Sequence, residues 1–345
     1  MGHLTRDIAV PLLAVLGAAL IGVSLLAATG HDPLAVGEAF GRRVLLRGAG
    51  IEESAVAMGP LLIAALAAWI AARVGLWNIG IDGQVIAGAI AAATLAPFLD
   101  TWPRESMWVA VTVVAIVAGA LWALLPALLR AHAGINEIVT TIMMTYVAFS
   151  LGSWLVEGPL RDEALVTPVT VAIDVGRRLP RVFDTRIHLG VAAAVVIVLL
   201  TAAAARWTSP GILSRLVGES APAAHRLGLP VERYVVVAFL VSGGVAALAG
   251  VAEVLATRGA VQGDWRPVLT LPAFAALFLA RQNVLALLPA AFLLGMLAYA
   301  STVLPRATDL APDFFPMLEG VLLILLAVER WQRPERAQAP AERSI

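Results

Sequence analysis

The sequence predicts an all-α, polytopic integral membrane protein, and three observations carry that prediction. Hydrophobic residues fill 60 % of the 345 positions and charged residues only 14 %, against roughly a quarter charged in soluble domains. A chain of this length with so few charges cannot cover a water-facing surface, and its mean hydropathy is +0.88. The apolar residues fall in runs of about twenty, the length a helix needs to cross the hydrocarbon core. These runs show no period-two alternation, and lipid supplies no partner for an open sheet edge, which leaves helices.

About ten spans are expected, within a range of eight to ten. The first, Ile8 to Ala28, lacks the small-residue cleavage site of a signal peptide and reads as a retained helix. The others fall near 54–72, 83–98, 106–129, 136–156, 187–206, 234–255, 268–280, 284–304 and 314–329. Of these, 268–280 is too short to cross unaided and 83–98 is marginal. Residues 157–186 form a long charged, proline-containing connection expected outside, and 207–233 a polar connection expected inside. Each half then holds five spans, so any internal repeat is an inverted one. The chain 1–345 reads as one transmembrane domain, with a polar tail over 334–345 expected to be disordered.

The bulk arginine count does not orient the chain, but arginine positions do. Arg73, Arg130, Arg206, Arg281 and Arg330 each close a helix that an inside N-terminus sends inward, where they suit the inner interface and the helix dipole. Acids gather on the opposite side: Asp32, Glu38, Glu52, Glu53, Asp100, Glu105, Asp162, Glu163, Asp309 and Asp313. Both termini are therefore expected to be cytoplasmic.

Missing residues exclude much chemistry. There is no cysteine, so disulfides, thiol nucleophiles and metal–thiolate sites are out. All 24 basic residues are arginine, which removes the lysine of a phosphate-binding loop and the amine of a Schiff-base enzyme. Any ATPase must be another chain. His3, His31, His132, His188 and His225 are scattered without helical pairing, so no metal site is expected. Net charge is zero, giving nucleic acid no electrostatic handle.

Three regions carry candidate function. Gly75 to Gln84 interrupts an apolar region with three glycines and with Asn78, Asp82 and Gln84, which are costly in lipid unless they face protein or water. This is either an ordinary cytoplasmic turn or a broken segment lining a path. On the helix from Asn136, residues Asn136, Thr140 and Met144 recur at i, i+4 and i+8, with Glu137, Thr141 and Thr145 alongside. Such a stripe suits either a wall for a polar, flat solute or hydrogen-bonded interhelical contact. In 207–233, Ser220 can cap a short helix over 221–227, with Pro222 in its first turn and Gly228 ending it. Gly243, Gly244, Ala247 and Gly250 read as close helix packing. Asp82, Glu137, Glu253 and Glu319 would be the carboxylates of an ion-coupled carrier, the rival class.

Gly75-Leu76-Trp77-Asn78-Ile79-Gly80-Ile81-Asp82-Gly83-Gln84, with Gly88-Ala89, resembles the G-L-F-N-I-G-x-E-G-Q-x-x-x-G-A signature of ABC-importer permeases of the branched-chain amino acid, ribose and nucleoside superfamily. Asp82 stands for the usual glutamate and Trp77 for phenylalanine. Gly134 to Ala148 is similar to the G-x-N/H-E-V-I-x-T-I-M-L-N-Y-I-A segment of the simple-sugar and purine-nucleoside branch, with Thr145 for asparagine. Gly218 to Gly228, then Ser242-Gly243-Gly244 and Leu248-Ala249-Gly250, resemble the following loop and helix. A further segment is altered at Leu271 to Asn283, where two glycines are gone.

The resemblance implies a permease subunit without chemistry of its own, in the cell (inner) membrane, moving a nucleoside or simple sugar. It implies ABC ATPase subunits holding ATP and Mg, a second permease subunit in a heterodimer, and an extracytoplasmic solute-binding protein, with 157–186 a candidate contact. Asn78, Gln84, Asn136, Thr140 and Met144 become the expected substrate path. Glu219, Ala223, Ala224, Arg226 and Gly228 become the expected contact with the ATPase. The family's glutamate before the alanine pair is Pro222 here.

Overall fold

The computed structural model describes residues 2–331, with side chains over 9–328. The expected disordered tail, and the side chains of Arg330 and His3, lie outside the described residues. Among the described residues the chain is helical, with isolated β-bridges and no named strand. Eight helices are long and apolar enough to cross a membrane. Two further apolar helices, Thr270–Leu279 and Phe314–Val328, are shorter, so the expected ten is reached only by counting these two.

Helix α1 (Gly2–Ala28) is followed by a short helix α2 (Pro33–Phe40), whose first turn Asp32 caps by accepting from Leu34 N at 2.9 Å. Then come α3 (Gly48–Arg73), α4 (Ile81–Phe98), α5 (Arg104–Ala133), α6 (Glu137–Glu157) and α7 (Leu189–Trp207). The expected polar connection 207–233 is mostly helical: α8 (Ser209–Glu219) and α9 (Ala221–Arg226) occupy it. Helix α10 (Val231–Ala252) continues into a π turn (Glu253–Arg258), and extended chain leads to α11 (Thr270–Leu279). Helices α12 (Leu287–Val303), α13 (Pro305–Thr308) and α14 (Phe314–Trp331) complete the chain.

Helices α3 and α10 form the core, and every residue of α3 from Met58 to Trp69 is buried. Apolar side chains gain nothing by leaving apolar lipid, so the bundle is held by close van der Waals packing of small residues. The glycine series on α10 supplies it, as expected. A Cβ on Gly243 would sit 2.5 Å from the Gly119 carbonyl oxygen on α5, and one on Gly119 would strike the Gly243 carbonyl in return. A Cβ on Gly250 would strike the Val85 carbonyl on α4.

The expected outer connection is a folded cover. Its backbone bonds to the chain after α10: Thr170 N to Val261 O at 3.0 Å, Ile173 N to Gly259 O at 2.8 Å, and Leu179 N to Leu255 O at 2.8 Å. The Arg177 guanidinium donates to the carbonyls of Leu99 at 2.8 Å and Trp102 at 2.9 Å, tying the cover to the α4–α5 corner.

Candidate functional site

Helix α3 ends at Val74, and Gly75 takes φ +77, a conformation that favours glycine. The chain does not then run along the surface. Asn78 is fully buried and donates through Nδ2 to Gln84 Oε1 at 2.9 Å and Ser242 Oγ at 2.8 Å. Its Oδ1 accepts from Gly80 N and Gln84 Nε2, both at 3.1 Å, and Ser242 Oγ donates onward to the Ala67 carbonyl at 2.7 Å. Ser242 lies near the middle of the 28-residue span Val231–Arg258. Residues 75–80 therefore re-enter the bundle, and α4 starts from inside it. Polar groups at this depth persist because every one is satisfied by protein.

Asp82 extends the same junction. Its Oδ1 accepts from Leu269 N at 2.8 Å and Thr270 N at 3.1 Å, while its own N–H donates to Thr270 Oγ1 at 3.3 Å. These are the first amides of α11, which has no side-chain cap of its own. The carboxylate thus caps a half-helix 187 residues away in sequence. Trp77 adds ring contacts to Phe274 and Phe278 with centroids 5.6 and 5.9 Å apart. At the far end of α11 the altered segment turns through Arg281 and Gln282, both left-handed at φ 49 and 64. Trp69 Nε1 holds the Gln282 carbonyl at 2.6 Å.

The α6 stripe is divided by its helical phase. Asn136 is the N-cap, accepting from Ile138 N at 2.8 Å, so it stands before the helix rather than on its wall. Thr141 and Thr145 face the interruption: a Cβ on Gly80 would lie 3.0 Å from Thr141 Cβ, and one on Gly83 would lie 2.9 Å from Thr145 Cα. Thr140 and Met144, one position earlier, are half-buried on another face. Asn78 and Gln84 are thus brought together in a sealed network, and α6 meets that junction through Thr141 and Thr145. Glu137 is buried, pairs with Arg130 at 3.2 Å and accepts from Trp77 N at 3.4 Å.

The connection 207–233 meets the same junction. Thr208 caps α8, Ser220 caps α9 by accepting from Ala223 N at 3.3 Å, and Gly228 ends that turn at φ +79, as its type predicts. Helix α8 packs backbone to backbone on the interruption: a Cβ on Gly218 would strike the Arg73 carbonyl and lie 3.0 Å from Gly75 N. Arg73 clamps the α7–α8 corner through the carbonyls of Ala205 at 3.1 Å and Gly211 at 3.0 Å. The alanine pair is split. Ala224 is buried against the cluster containing Leu76, Val217 and Phe239, while Ala223, Glu219, Arg226 and Gly228 are exposed. Glu219 also pairs with Arg215 at 2.7 Å. A cavity of about 520 Å³ opens beside this contact, lined by Trp69, Arg73, Trp77, Glu219 and Arg281 among others.

Ser242 belongs to a glycine-rich segment visible in the sequence, but Arg73, Trp69 and Thr270 carry no local signal for their roles. Among the other carboxylates, Glu253 pairs with Arg258 at 3.0 Å. Glu319 is buried where α14 packs against α1, α11 and α12.

Residues 50–327 match the family described as the permease component of the branched-chain amino acid transport system. The chain belongs to this family. It is 28 % identical to the glucose ABC transporter permease protein of Haloferax volcanii, over 94 % of this chain and 88 % of that one. It is 26 % identical to the guanosine ABC transporter permease protein of Bacillus subtilis, over 92 % of each chain. It is 28 % identical to the nucleoside ABC transporter permease protein of Lactococcus lactis subsp. cremoris, over 73 % of this chain and 71 % of that one. This permease therefore shares near full-length similarity with sugar and nucleoside permeases.

Proposed function

We propose that this chain is the membrane-spanning permease subunit of an ABC importer for a nucleoside or simple sugar. The observation that carries the reading is the family match over 50–327, which includes both the re-entrant junction and α9. In this reading ten segments cross the membrane, with both termini in the cytoplasm. The end of α8, helix α9 and the turn after it dock an ABC ATPase subunit through Glu219, Ala223, Arg226 and Gly228, which are exposed. Ala224 anchors that helix from behind. Separate ATPase subunits hold ATP and Mg, a second permease chain completes the pore as a heterodimer, and an extracytoplasmic binding protein delivers solute to the folded cover.

Thr140 and Met144 present the half-buried face of α6 to the path, with Asn136 at its inner mouth. Asn78 and Gln84 join it when their mutual bonds open. A wall of hydroxyl and thioether groups contacts a polar ring without gripping it, as suits a pore that must release what it receives. The ion-coupled alternative is less favoured, because three of its four carboxylates, Asp82, Glu137 and Glu253, are engaged by protein donors. Uptake by the reconstituted complex of a panel of nucleosides and sugars, with and without ATP, tests the reading. ATP-dependent uptake is expected. Uptake by this chain alone, driven by an ion gradient, would overturn it.

A further inference from the structure

A second cavity, of about 920 Å³, opens at the end of the bundle opposite α8 and α9. The first turns of α3 and α5, the π turn after α10 and residues 175–188 enclose it. Four arginines line it, Arg104, Arg178, Arg181 and Arg186, against a single acid, Glu53. That acid is already taken by Arg186 at 2.5 Å, and Arg104 is paired with Glu105 at 2.7 Å. Arg178 and Arg181 have no carboxylate within ion-pair distance among the described residues. Arg178 is nonetheless fixed in place: its Nε donates to the Ile173 carbonyl at 3.0 Å, and its guanidinium lies where a Cβ on Gly259 would be. His188 lines the same cavity, is 5 % exposed, and neither ring nitrogen has a hydrogen-bond partner.

We propose that this cavity is an oxyanion-binding site, taking the carboxylate or phosphate group of a small ligand. Guanidinium groups carry only donors, arranged in a fork that matches these oxyanions. Two such forks without a carboxylate partner line one concavity of small-ligand size. The ring nitrogens of His188 are closed off from solvent, so the arginine forks are the anion's donors. The site lies apart from α6 and from the coupling helix but on the cover proposed to receive solute; anion binding to this chain alone is read without transport, so its failure is distinguishable from failure of the import reading.

The test uses the full chain in phosphatidylcholine nanodiscs, with citrate or inorganic phosphate compared with chloride at equal ionic strength. Two readouts are followed: the unfolding midpoint by tryptophan fluorescence, and phenylglyoxal modification of Arg178 and Arg181 by mass spectrometry. At an anion concentration about ten times its dissociation constant, occupancy should slow modification of both arginines about ten-fold and raise the midpoint. In Arg181→Gln, whose native side chain is exposed and has no described partner, the midpoint without anion should be unchanged and protection of Arg178 should be lost. Nanodiscs containing phosphatidylglycerol identify the source. Protection there without added anion assigns a lipid headgroup, and protection only by citrate or phosphate assigns a free anion; both outcomes support the oxyanion site. Equal modification rates under all these conditions, or undiminished protection of Arg178 in Arg181→Gln, would overturn it.

Discussion

Replacing Asp82 by alanine should loosen the bundle at one place, the start of α11. The side chain accepts the amides of Leu269 and Thr270 at 2.8 and 3.1 Å, and α11 has no other cap. Losing an N-cap costs about 0.5–2 kcal/mol, and each buried donor left unmet costs about 1–3 kcal/mol. These describe one loss rather than two to add; with Thr270 buried and Leu269 half-buried, the unmet donors together cost about 2–4 kcal/mol. Asparagine keeps an acceptor oxygen in the same place and loses only the charge, so Asp82→Asn should cost about 1 kcal/mol. Hydrogen exchange of the peptide spanning 266–280, in nanodiscs, reads this directly. With every 1.4 kcal/mol worth ten-fold, exchange at these amides should rise about thirty-fold to several hundred-fold in Asp82→Ala and about five-fold in Asp82→Asn. Equal exchange in wild type and Asp82→Ala, or an asparagine variant as labile as the alanine one, would refute the cap.

Three further outcomes are expected. Gly228→Val forces a β-branched residue to φ +79 in open space, at about 1–2 kcal/mol of local strain; the chain should still insert while transport and substrate-stimulated ATPase activity are lost together, and wild-type stimulation would exclude this turn from coupling. Single cysteines at Thr140 and Met144, in a chain with no native cysteine, should react with a small water-soluble thiol reagent at rates that differ between ATP-bound and ATP-free complexes. Cysteines at Asn78 and Gln84 should react only in the state that opens their network, and inaccessibility of all four positions in every state would remove the path assignment. His188 is held below its usual pKa of 6.5 by burial, so the unfolded chain binds more protons than the native one. Stability from this group is complete above pH 6.5 and falls as pH drops below it, by at most about 1.4 kcal/mol per pH unit; unfolding midpoints should fall less steeply in His188→Asn, and parallel pH profiles would refute the effect.

What the sequence makes legible follows from range. A run of apolar residues declares a membrane helix because its length alone must match the bilayer, and α3, α5 and α7 appear where that rule puts them. The break at 75–84 is legible because glycine and amide side chains violate the local pattern. That Asn78 turns back to Ser242, and that Asp82 reaches Thr270, is not legible, because each partner lies more than 160 residues away. Helix α8 escapes hydropathy because its turns are mixed in character, although Thr208 before Ser209-Pro210 is a start signal in plain view. The stripe on α6 shows the opposite failure. Two adjacent stripes both carry hydroxyls, and periodicity cannot say which faces the neighbouring helix. Packing decides it: Gly80 and Gly83 leave room only for the face of Thr141 and Thr145. The alanine pair at 223–224 is equally symmetric in sequence and is divided by the apolar cluster beneath α9.

The contacts from α9 inward form one continuous path of rigid pieces. Ala224 and Val217 seat α9 and α8 on Leu76, and Gly218 rests on the backbone of Arg73 and Gly75 with no side chain between. A backbone-on-backbone contact has no rotamer to absorb a displacement, so movement of α8 must move the start of the re-entrant segment. Asn78 then links that segment to α10 through Ser242 and to α4 through Gln84, and Asp82 links it to α11, by bonds of 2.8–3.1 Å. Helix α11, packed on α3, α12 and α14, joins its neighbours in the chain through extended chain on one side and the left-handed turn at Arg281 and Gln282 on the other. Coupling in the proposed importer therefore falls on a half-helix held by Asp82 at its first turn and by Trp69 just past its last. Breaking either contact should uncouple ATP hydrolysis from transport while leaving α9 docked, and substrate-stimulated ATPase activity measured in Asp82→Ala and Trp69→Phe would show it. Full coupling in both variants would mean that the displacement travels through α10 instead.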